Sequence, residues 1–335
     1  GSAGVGKSTY IKEHGLEPYA LSADNIRMMC QSPVMQTNGT LAISQSNERL
    51  VWSLLFQMLE ARMQRGEFVV IDATNSKTQE INRYKDMAKT YRYRMYCVDM
   101  TGVPMEECKR RNKLRPIYKQ VPDEVIEKMY TRFETQSIPA GVTVIQPDEL
   151  DKIWYKPSDF SHYKRIHHIG DIHGCYTVLK EYLKDGFKDD ELYIFCGDYI
   201  DRGIENVEVI NFLYENMNRP NVILLEGNHE RWLWYWAHGG TSKSAEFEKV
   251  TRKQLEAGGL DSKIARMLYR KFNQCVYYTY NEKTVLVTHA GLSVIPDNLT
   301  EIASEQMIRG VGRYSEYLDV AKTFDEIMPE NTYQV

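Results

Sequence analysis

The chain has 335 residues, a formal net charge of −4, 42% hydrophobic residues and 26% charged residues. This length favours two domains, and the composition excludes a disordered or fibrous chain as well as one that is basic over its whole surface, although a local basic groove stays open. No apolar run is long enough to span a membrane, and the six scattered cysteines form no C-x-x-C pair, so we expect a cytoplasmic protein with free thiols.

In the first half of the chain, predicted helices alternate with predicted strands after a glycine-rich loop at 1–8. The helices are expected over 9–14, 46–65, 79–91, 104–115 and 122–134, and the strands over 19–22, 68–71 and 93–100. This alternation predicts an α/β fold with a mostly parallel sheet covered on both faces. The pattern weakens over 141–161, so we place a first domain at 1–150 and a second at 160–335. In the second, strands are expected to end at Gly170, Gly197, Gly227 and His289.

The glycine-rich loop Gly1-Ser-Ala-Gly-Val-Gly-Lys-Ser8 matches the phosphate-binding pattern G-x-x-x-x-G-K-[ST]. Its glycines let backbone N–H groups surround a phosphate, and the helix that follows adds its positive end. Lys7 is expected on the β- and γ-phosphates of ATP and Ser8 on Mg²⁺. The predicted nucleotide contacts come from Gly1, Gly4, Gly6, Lys7, Ser8 and Thr9. Because a buried strand normally precedes such a loop, we expect the sequence to be a fragment.

Further polar residues of the first half are candidates for the acceptor side of a phosphoryl transfer. Asp24 follows the 19–22 strand and is either a general base for an attacking hydroxyl or an ordinary helix N-cap. Arg27, one turn later, is a candidate phosphate ligand. Asp72 closes the 68–71 strand and either supports the metal or the acceptor or belongs to a plain turn. Arg111 and Arg115 are four apart on a predicted helix, which indicates either a lid over ATP or a solvated basic face.

The second half contains four polar motifs in order, each at the end of an apolar strand. They are Gly170-Asp-Ile-His-Gly, Gly197-Asp-Tyr-Ile-Asp-Arg-Gly, Gly227-Asn-His-Glu and Thr288-His-Ala-Gly. Strand ends can bring their oxygen and nitrogen donors to one point, which suits two divalent metals. The candidate metal ligands are Asp171, His173, Asp198, Asn228 and His289. His229 is a candidate acid for the leaving alkoxide, Asp201 would orient its imidazole, and Arg202 would hold the phosphate.

The motifs of the first half resemble the kinase domain of polynucleotide kinases, in the phage enzymes and in bacterial end-healing repair proteins. The resemblance rests on the P-loop, 22–27, 72–75 and 111–115, and covers about residues 1–140. It implies that Asp24 is the general base, that Arg27 contacts the acceptor's 3′ phosphate, and that Arg111 and Arg115 contact the ATP phosphates.

The motifs of the second half resemble the calcineurin-like metallophosphoesterases, which include Ser/Thr protein phosphatases and diadenosine tetraphosphatases. The resemblance implies one metal on Asp171, His173 and Asp198, a second on Asp198, Asn228 and His289, and His229 as the acid. That family has a further metal-binding histidine downstream, whereas no histidine follows His289 here. We interpret this difference as truncation, with a degenerate phosphatase as the alternative.

Together the two resemblances predict a P-loop kinase domain with a parallel sheet, followed by an α/β metallophosphoesterase sandwich. The expected function is end healing: ATP and Mg²⁺ serve a 5′-OH kinase, and two divalent metals, expected to be Mn²⁺, serve a phosphatase for 3′-phosphate or 2′,3′-cyclic phosphate. Expected partners are RNA or DNA ends and a ligase, either as a C-terminal module or as a separate protein, and homo-oligomerisation stays open. One alternative is a small-molecule or protein kinase fused to a Ser/Thr-type or dinucleoside polyphosphate phosphatase, and another is a nucleotide sensor that transfers no phosphate.

Overall fold

The computed structural model describes residues 1–335 and divides into two compact units, Gly1–Trp154 and Tyr155–Val335. The predicted α/β class with parallel sheets is confirmed in both units. None of the helices combines the length and the apolar character needed to cross a membrane.

The first unit contains six helices and six short strands. The helices are α1 Lys7–Glu13, α2 Ala23–Cys30, α3 Glu48–Met63, α4 Thr78–Tyr91, α5 Met105–Lys113 and α6 Asp123–Thr135. The strands are β1 Ala20–Ser22, β2 Val34–Met35, β3 Leu41–Ala42, β4 Val70–Asp72, β5 Tyr96–Val98 and β6 Thr143–Ile145, with 3-10 turns at Glu17–Tyr19, Ile117–Lys119 and Pro147–Ile153.

The parallel strands of the first unit form two separate pairs, β1 with β4 and β5 with β6, and β2 and β3 form a hairpin. The glycine-rich loop lies between the carboxyl ends of the two pairs, because Gly1 is next to Met100, after β5, and its nitrogen lies 3.2 Å from Thr74 O, after β4. Helix α3 holds the core together because Val51, Leu55 and Leu59 recur every four residues and are all buried. Leu55 is 0% exposed, so its truncation to alanine would cost about 2–5 kcal/mol.

The second unit is a two-sheet sandwich flanked by helices. Its strands are β7 Ser158–Asp159, β8 Arg165–Ile169, β9 Glu191–Phe195, β10 Val222–Leu224, β11 Cys275–Tyr280, β12 Lys283–Thr288 and β13 Thr332–Gln334. Its helices are α7 Tyr176–Tyr182, α8 Asn206–Asn216, α9 Glu230–Ala237, α10 Arg252–Ala257, α11 Ser262–Tyr269, α12 Ser304–Arg309 and α13 Tyr317–Ile327, with 3-10 turns at Leu299–Glu301 and Tyr314–Glu316. A π-helical turn, Phe247–Thr251, leads directly into α10.

The central strand β9 explains the layers of this sandwich. The parallel sheet has the order β10-β9-β8, and the mixed sheet has the order β13-β12-β11-β7. Leu192 and Ile194 pack between the two sheets, whereas Tyr193 and Phe195 pack on the opposite face against the helices. Because successive side chains of a strand alternate between faces, a strand buried on both sides needs apolar residues on both faces, as β9 has over 192–195. Its first residue, buried Glu191, is hydrogen-bonded to His167 at 2.8 Å. The carboxyl ends of β8, β9 and β10 therefore lie along one edge.

Candidate functional site

The phosphate-binding loop of the first unit is closed by its own lysine. Lys7 Nζ donates to the carbonyl oxygens of Gly1 at 3.0 Å and Ser2 at 2.8 Å, and burial lowers the pKa of this lysine. Gly4 has a φ of 82°, and a Cβ there would lie 2.2 Å from Cys108 O, so only glycine fits. The carbonyl contacts of Lys7 are replaceable by phosphate oxygens, which a lysine point charge binds readily.

Ser8 and Asp72 meet beside this loop, at the end of β4. The Ser8 hydroxyl donates to Asp72 Oδ2 at 3.2 Å. A P-loop hydroxyl next to a carboxylate at a strand end is the pair that holds Mg²⁺ in P-loop enzymes. Of the sequence alternatives for Asp72, this contact favours metal support over a plain turn. Thr9, the next residue, lies exposed in the first turn of α1.

Asp24 and Arg27 are joined by a third residue, Glu48, which sequence analysis did not identify. Arg27 donates from Nε and Nη2 to the two carboxylate oxygens of Glu48 at 2.6 and 2.8 Å, and from Nη1 to Asp24 Oδ1 at 2.7 Å. The hydrogen bond from Arg27 lowers the pKa of Glu48. A guanidinium has five N–H donors, so two remain for an anion. Glu48 lies 21 residues from Arg27, and no local pattern links them.

Arg111 and Arg115 differ from the sequence prediction in one respect. Arg111 lies on α5, is oriented by Glu107 at 2.6 Å, and donates to Val5 O of the glycine-rich loop at 3.4 Å. Helix α5 ends at Lys113, so Arg115 does not share a helical face with Arg111, and the predicted helix to residue 115 is wrong. Arg115 precedes Pro116, and the residue before a proline is disfavoured in a helix. The positive charge of Arg115 nevertheless acts on Lys7 and contributes to lowering its pKa.

The five candidate metal ligands of the second unit converge at the strand ends. Asp198 lies centrally: its Oδ2 is 3.7 Å from His173 Nε2, and its Oδ1 is 3.4 Å from His289 Nε2. Asp171 Oδ2 is 3.5 Å from His173 Nε2, and Asn228 Oδ1 is 3.2 Å from His289 Nε2. The donor atoms of Asp171, Asp198 and His289 all lie within 4.8 Å of one another, as do those of His173, Asp198 and His229.

The hydrogen bonds and burial of the two histidine donors fit divalent metals. His173 Nδ1 lies 2.8 Å from Ile200 O, which favours the Nδ1–H tautomer and leaves its Nε2 as an acceptor. His289 Nδ1 lies 2.9 Å from Cys196 O; burial would lower the pKa of His289, but the hydrogen bond and charge of Asp198 raise it to about 9, so a metal bound there would displace the proton on Nε2. His173 Nε2 is buried without any hydrogen-bond partner. A buried acceptor with no partner is costly unless it binds an ion or a water, so the residues present fit the metal centre.

A buried carboxylate, Glu230, fastens the ligand loops together, and sequence analysis gave it no role. Its two oxygens accept from the backbone N–H groups of Asp198 at 2.9 Å, Tyr199 at 2.9 Å and Gly227 at 2.7 Å. Burial raises the pKa of Glu230 to about 7 and the charge of Asp198 acts in the same direction, whereas the three N–H donors oppose this shift. A Cβ on Gly227 would lie 2.3 Å from Asp198 Oδ1, so the two loops approach too closely for any other residue.

His229, Asp201 and Thr251 form a hydrogen-bonded chain beside the metal ligands. His229 Nδ1 lies 2.6 Å from Asp201 Oδ2, and the buried Thr251 hydroxyl donates to the other oxygen of Asp201. Burial alone would lower the pKa of His229, but the hydrogen bond to Asp201 and the charge of Asp198 outweigh burial and raise it. Thr251, missed by sequence analysis, lies in the π-helical turn, a distortion frequent at functional sites. Arg202, next to Asp201, has an exposed side chain, and its backbone N–H donates to Glu246 Oε1 at 2.8 Å.

Comparisons with known proteins divide the chain in the same way. Residues 1–136 match the family model described as AAA domain, and residues 164–332 match the one described as calcineurin-like phosphoesterase. The chain is 28% identical over 137 residues to the asymmetrical bis(5′-nucleosyl)-tetraphosphatase PrpE of Halalkalibacterium halodurans, covering 37% of this chain and 56% of that protein. It is 41% identical over 83 residues to serine/threonine-protein phosphatase 2 of Salmonella typhimurium, covering 24% and 36%.

Solved structures give distant matches. A serine/threonine phosphatase from Saccharomyces cerevisiae is 20% identical with a TM-score of 0.31, over 48% of this chain and 49% of that one. A chain of the Pnkp1/Rnl/Hen1 RNA repair complex is 15% identical with a TM-score of 0.34, over 81% of this chain and 90% of that one. The present chain spans about half the length or less of the two curated relatives described above.

Proposed function

The chain belongs to the calcineurin-like phosphoesterase family and carries a P-loop kinase domain before it, and we propose that it heals broken polynucleotide ends. The kinase domain would phosphorylate a 5′-OH end, and the metallophosphoesterase domain would remove a 3′-phosphate or open and remove a 2′,3′-cyclic phosphate. The observation that carries this proposal is the Asp24–Arg27 pair beside the P-loop, because a base next to an anion ligand suits a hydroxyl that lies close to a phosphate. The products, 5′-phosphate and 3′-OH, are the ends that a ligase joins, so a ligase module or separate ligase is the proposed partner.

In the proposed kinase reaction, each polar residue of the first unit has one task. Lys7 exchanges its carbonyl contacts for the β- and γ-phosphates, and Arg111 and Arg115 neutralise charge on the transferred group. Ser8 and Asp72 would hold Mg²⁺, which shields the phosphate oxygens when bound.

The acceptor side of this reaction rests on Asp24 and Arg27. The acceptor hydroxyl oxygen attacks the γ-phosphorus, the bond from that phosphorus to the β-phosphate oxygen breaks, and ADP leaves. Asp24 takes the hydroxyl proton on the carboxylate oxygen that Arg27 does not hold. The two remaining N–H donors of Arg27 bind the neighbouring phosphate of the acceptor.

In the proposed phosphoesterase reaction, His229 and Asp201 handle the proton. Asp171, His173, Asp198, Asn228 and His289 would hold two divalent cations, proposed to be Mn²⁺, which supply an activated water and neutralise phosphate charge when bound. The water oxygen attacks phosphorus and the bond to the leaving oxygen breaks. His229 gives a proton to that oxygen while Asp201 fixes its ring and stabilises the imidazolium form, and Arg202 grips the phosphate.

A second candidate function is favoured by the curated relatives, which are phosphatases of other substrates. A small-molecule or protein kinase domain could be joined to a phosphatase acting on phosphoproteins or dinucleoside polyphosphates. Under this alternative, no oligonucleotide would be phosphorylated, and the phosphoesterase would prefer its own substrate class over 3′-phosphate ends.

The proposal is tested by incubating the protein with γ-labelled ATP, Mg²⁺ and a 5′-OH oligonucleotide of RNA or of DNA. Label should move to the oligonucleotide and should not do so with Asp24→Ala. In parallel, Mn²⁺-loaded protein should release phosphate from a 3′-phosphate end, and His229→Ala should slow this release by about 10²-fold or more. Absence of transfer to both RNA and DNA, from protein that still hydrolyses p-nitrophenyl phosphate, would refute the polynucleotide function and favour the second candidate.

A further inference from the structure

The first unit has a groove of about 770 Å³ between α3 and α4 that no step of the proposed reaction uses. Its walls include Glu48, Arg49, Trp52, Phe56, Arg83 and Met87. Trp52 and Phe56 are half-buried, whereas Arg49 and Arg83 are exposed. The groove therefore combines aromatic rings with two positive charges at its rim.

The aromatic part of the groove is a preformed stack. The Phe56 and Tyr84 rings stack at 5.4 Å, and the Arg83 guanidinium lies over Phe56, 3.9 Å from the ring centroid. Trp52 lies next along α3, with its ring 6.3 Å from that of Phe56. Because Arg83 is exposed, the side of its guanidinium that faces away from Phe56 is open to solvent. Nucleobases stack on guanidinium planes and on indole rings alike.

The groove is continuous with the proposed acceptor site through one residue. Glu48, Trp52, Phe56 and Glu60 recur every four residues on α3 and so share one face of the helix. Glu48 is the carboxylate that holds Arg27, and Trp52 Nε1 donates to Glu48 Oε2 at 3.0 Å. From Glu48 to Glu60 this face extends for about 18 Å, starting at the acceptor site.

We propose that this groove binds the single strand that follows the 5′-terminal nucleotide of the acceptor. Bases of that strand stack on Trp52 and on the open face of Arg83, and Arg49 lies beside the strand's phosphates. This inference rests on the proposed polynucleotide kinase function. It adds a second binding site that only longer acceptors reach, separate from the site of the reacting hydroxyl.

The charge of the groove indicates that stacking, rather than phosphate attraction, dominates binding there. Glu60 accepts from the Tyr91 hydroxyl at 2.6 Å, and Asp86 lies on the opposite wall. With Glu48, which holds Arg27, three carboxylates accompany the two arginines. With at most two phosphates neutralised, the affinity should fall with salt at a log–log slope of about −1.4 or shallower. A duplex-binding basic channel would give a much steeper dependence.

The test compares a nucleoside 3′-phosphate with a 5′-OH decanucleotide as acceptors for the kinase. The nucleoside 3′-phosphate reaches only the Asp24–Arg27 site, whereas the decanucleotide also reaches the groove. The variants are Arg83→Ala and Arg49→Ala, both at exposed arginines of the groove, and the control is Arg132→Ala, an exposed arginine on α6 outside the groove. We expect Arg83→Ala to raise the KM of the decanucleotide by about 10-fold through lost stacking, and Arg49→Ala to raise it by a smaller factor. Both variants should leave the kcat of the decanucleotide and both parameters of the nucleoside 3′-phosphate unchanged.

Both groove variants are expected to fold, because Arg49 and Arg83 are exposed. A wild-type KM that does not depend on acceptor length, or groove variants that behave like Arg132→Ala, would overturn the groove inference and leave the kinase function intact. Failure of the wild-type protein to phosphorylate either acceptor would overturn both.

Discussion

Replacing Glu230 by alanine tests what holds the metal-ligand loops of the second unit together. Glu230 is 0% exposed and accepts three backbone N–H groups, from Asp198, Tyr199 and Gly227. Each buried N–H left without an acceptor costs about 1–3 kcal/mol, so three would cost about 3–9 kcal/mol. A water in the vacated space can satisfy one or two of them, and loss of the carboxylate relieves its repulsion with Asp198. We therefore expect a net loss of about 3 kcal/mol in the free energy of unfolding.

Glu230→Gln should give an intermediate result. Its amide oxygen can still accept the two N–H groups that now share Oε2, while its NH₂ faces the third, so we expect a loss of about 1–2 kcal/mol. The matched control is Glu208→Ala on α8, where the side chain is exposed and a change within about 0.5 kcal/mol is expected.

The assay is urea unfolding in a metal chelator, followed by tryptophan fluorescence, because three of the five tryptophans lie on α9 directly after Glu230. The urea concentration at the midpoint should fall least for Glu208→Ala, more for Glu230→Gln and most for Glu230→Ala. The dependence of the unfolding free energy on urea should stay unchanged. If Glu230→Ala shifted the midpoint no more than Glu208→Ala does, the Glu230 carboxylate would not hold the two loops together. A glutamine variant as unstable as the alanine variant would show that charge, not hydrogen bonding, matters.

The remaining predictions concern the Thr251–Asp201–His229 chain, the proposed metals, Arg111 and the Arg27–Glu48 pair. Thr251→Val should slow hydrolysis of alkyl phosphates by about 10-fold and leave p-nitrophenyl phosphate, whose leaving group needs little protonation, nearly unaffected; Thr251→Ser should restore the rate. A chelator should abolish phosphoesterase activity, and His173→Ala should weaken Mn²⁺ binding by at least about 10-fold in calorimetry. Arg111→Ala should lower the kinase kcat by about 10²-fold or more in steady-state kinetics. The hydrogen bond from Arg27 lowers the pKa of Glu48 below its ordinary 4.5, so their pairing should stabilise the fold fully above pH 4.5. This stabilisation should be lost as the pH falls through the lowered pKa. In an acid titration of unfolding, Arg27→Leu should not show this loss of stability.

The sequence by itself determined the fold class and the candidate donors, because both depend on local patterns. Apolar periodicity predicted the alternating helices and strands, and polar residues at strand ends predicted the candidate metal ligands, among them Asp171 and Asp198. Parallel strands in an α/β sheet end at one edge, which accounts for the convergence of the motifs that follow β8, β9 and β10. His289 follows β12 of the other sheet, so its arrival at the same point depends on how the two sheets pack. The prediction failed where a local rule was overlooked, as at Pro116, which ends α5 before Arg115.

Only the tertiary structure decided which partners fix those donors in place. Glu48 meets Arg27 across 21 residues, Thr251 meets Asp201 across 50, and the N–H groups held by Glu230 come from two different loops. No sequence period encodes such contacts, because they depend on how helices and strand ends pack after the chain has folded. A carboxylate or hydroxyl has the same local sequence signal whether it is solvated or buried on a partner. Its burial, and with it the strength of the contact, is a property of the assembled core.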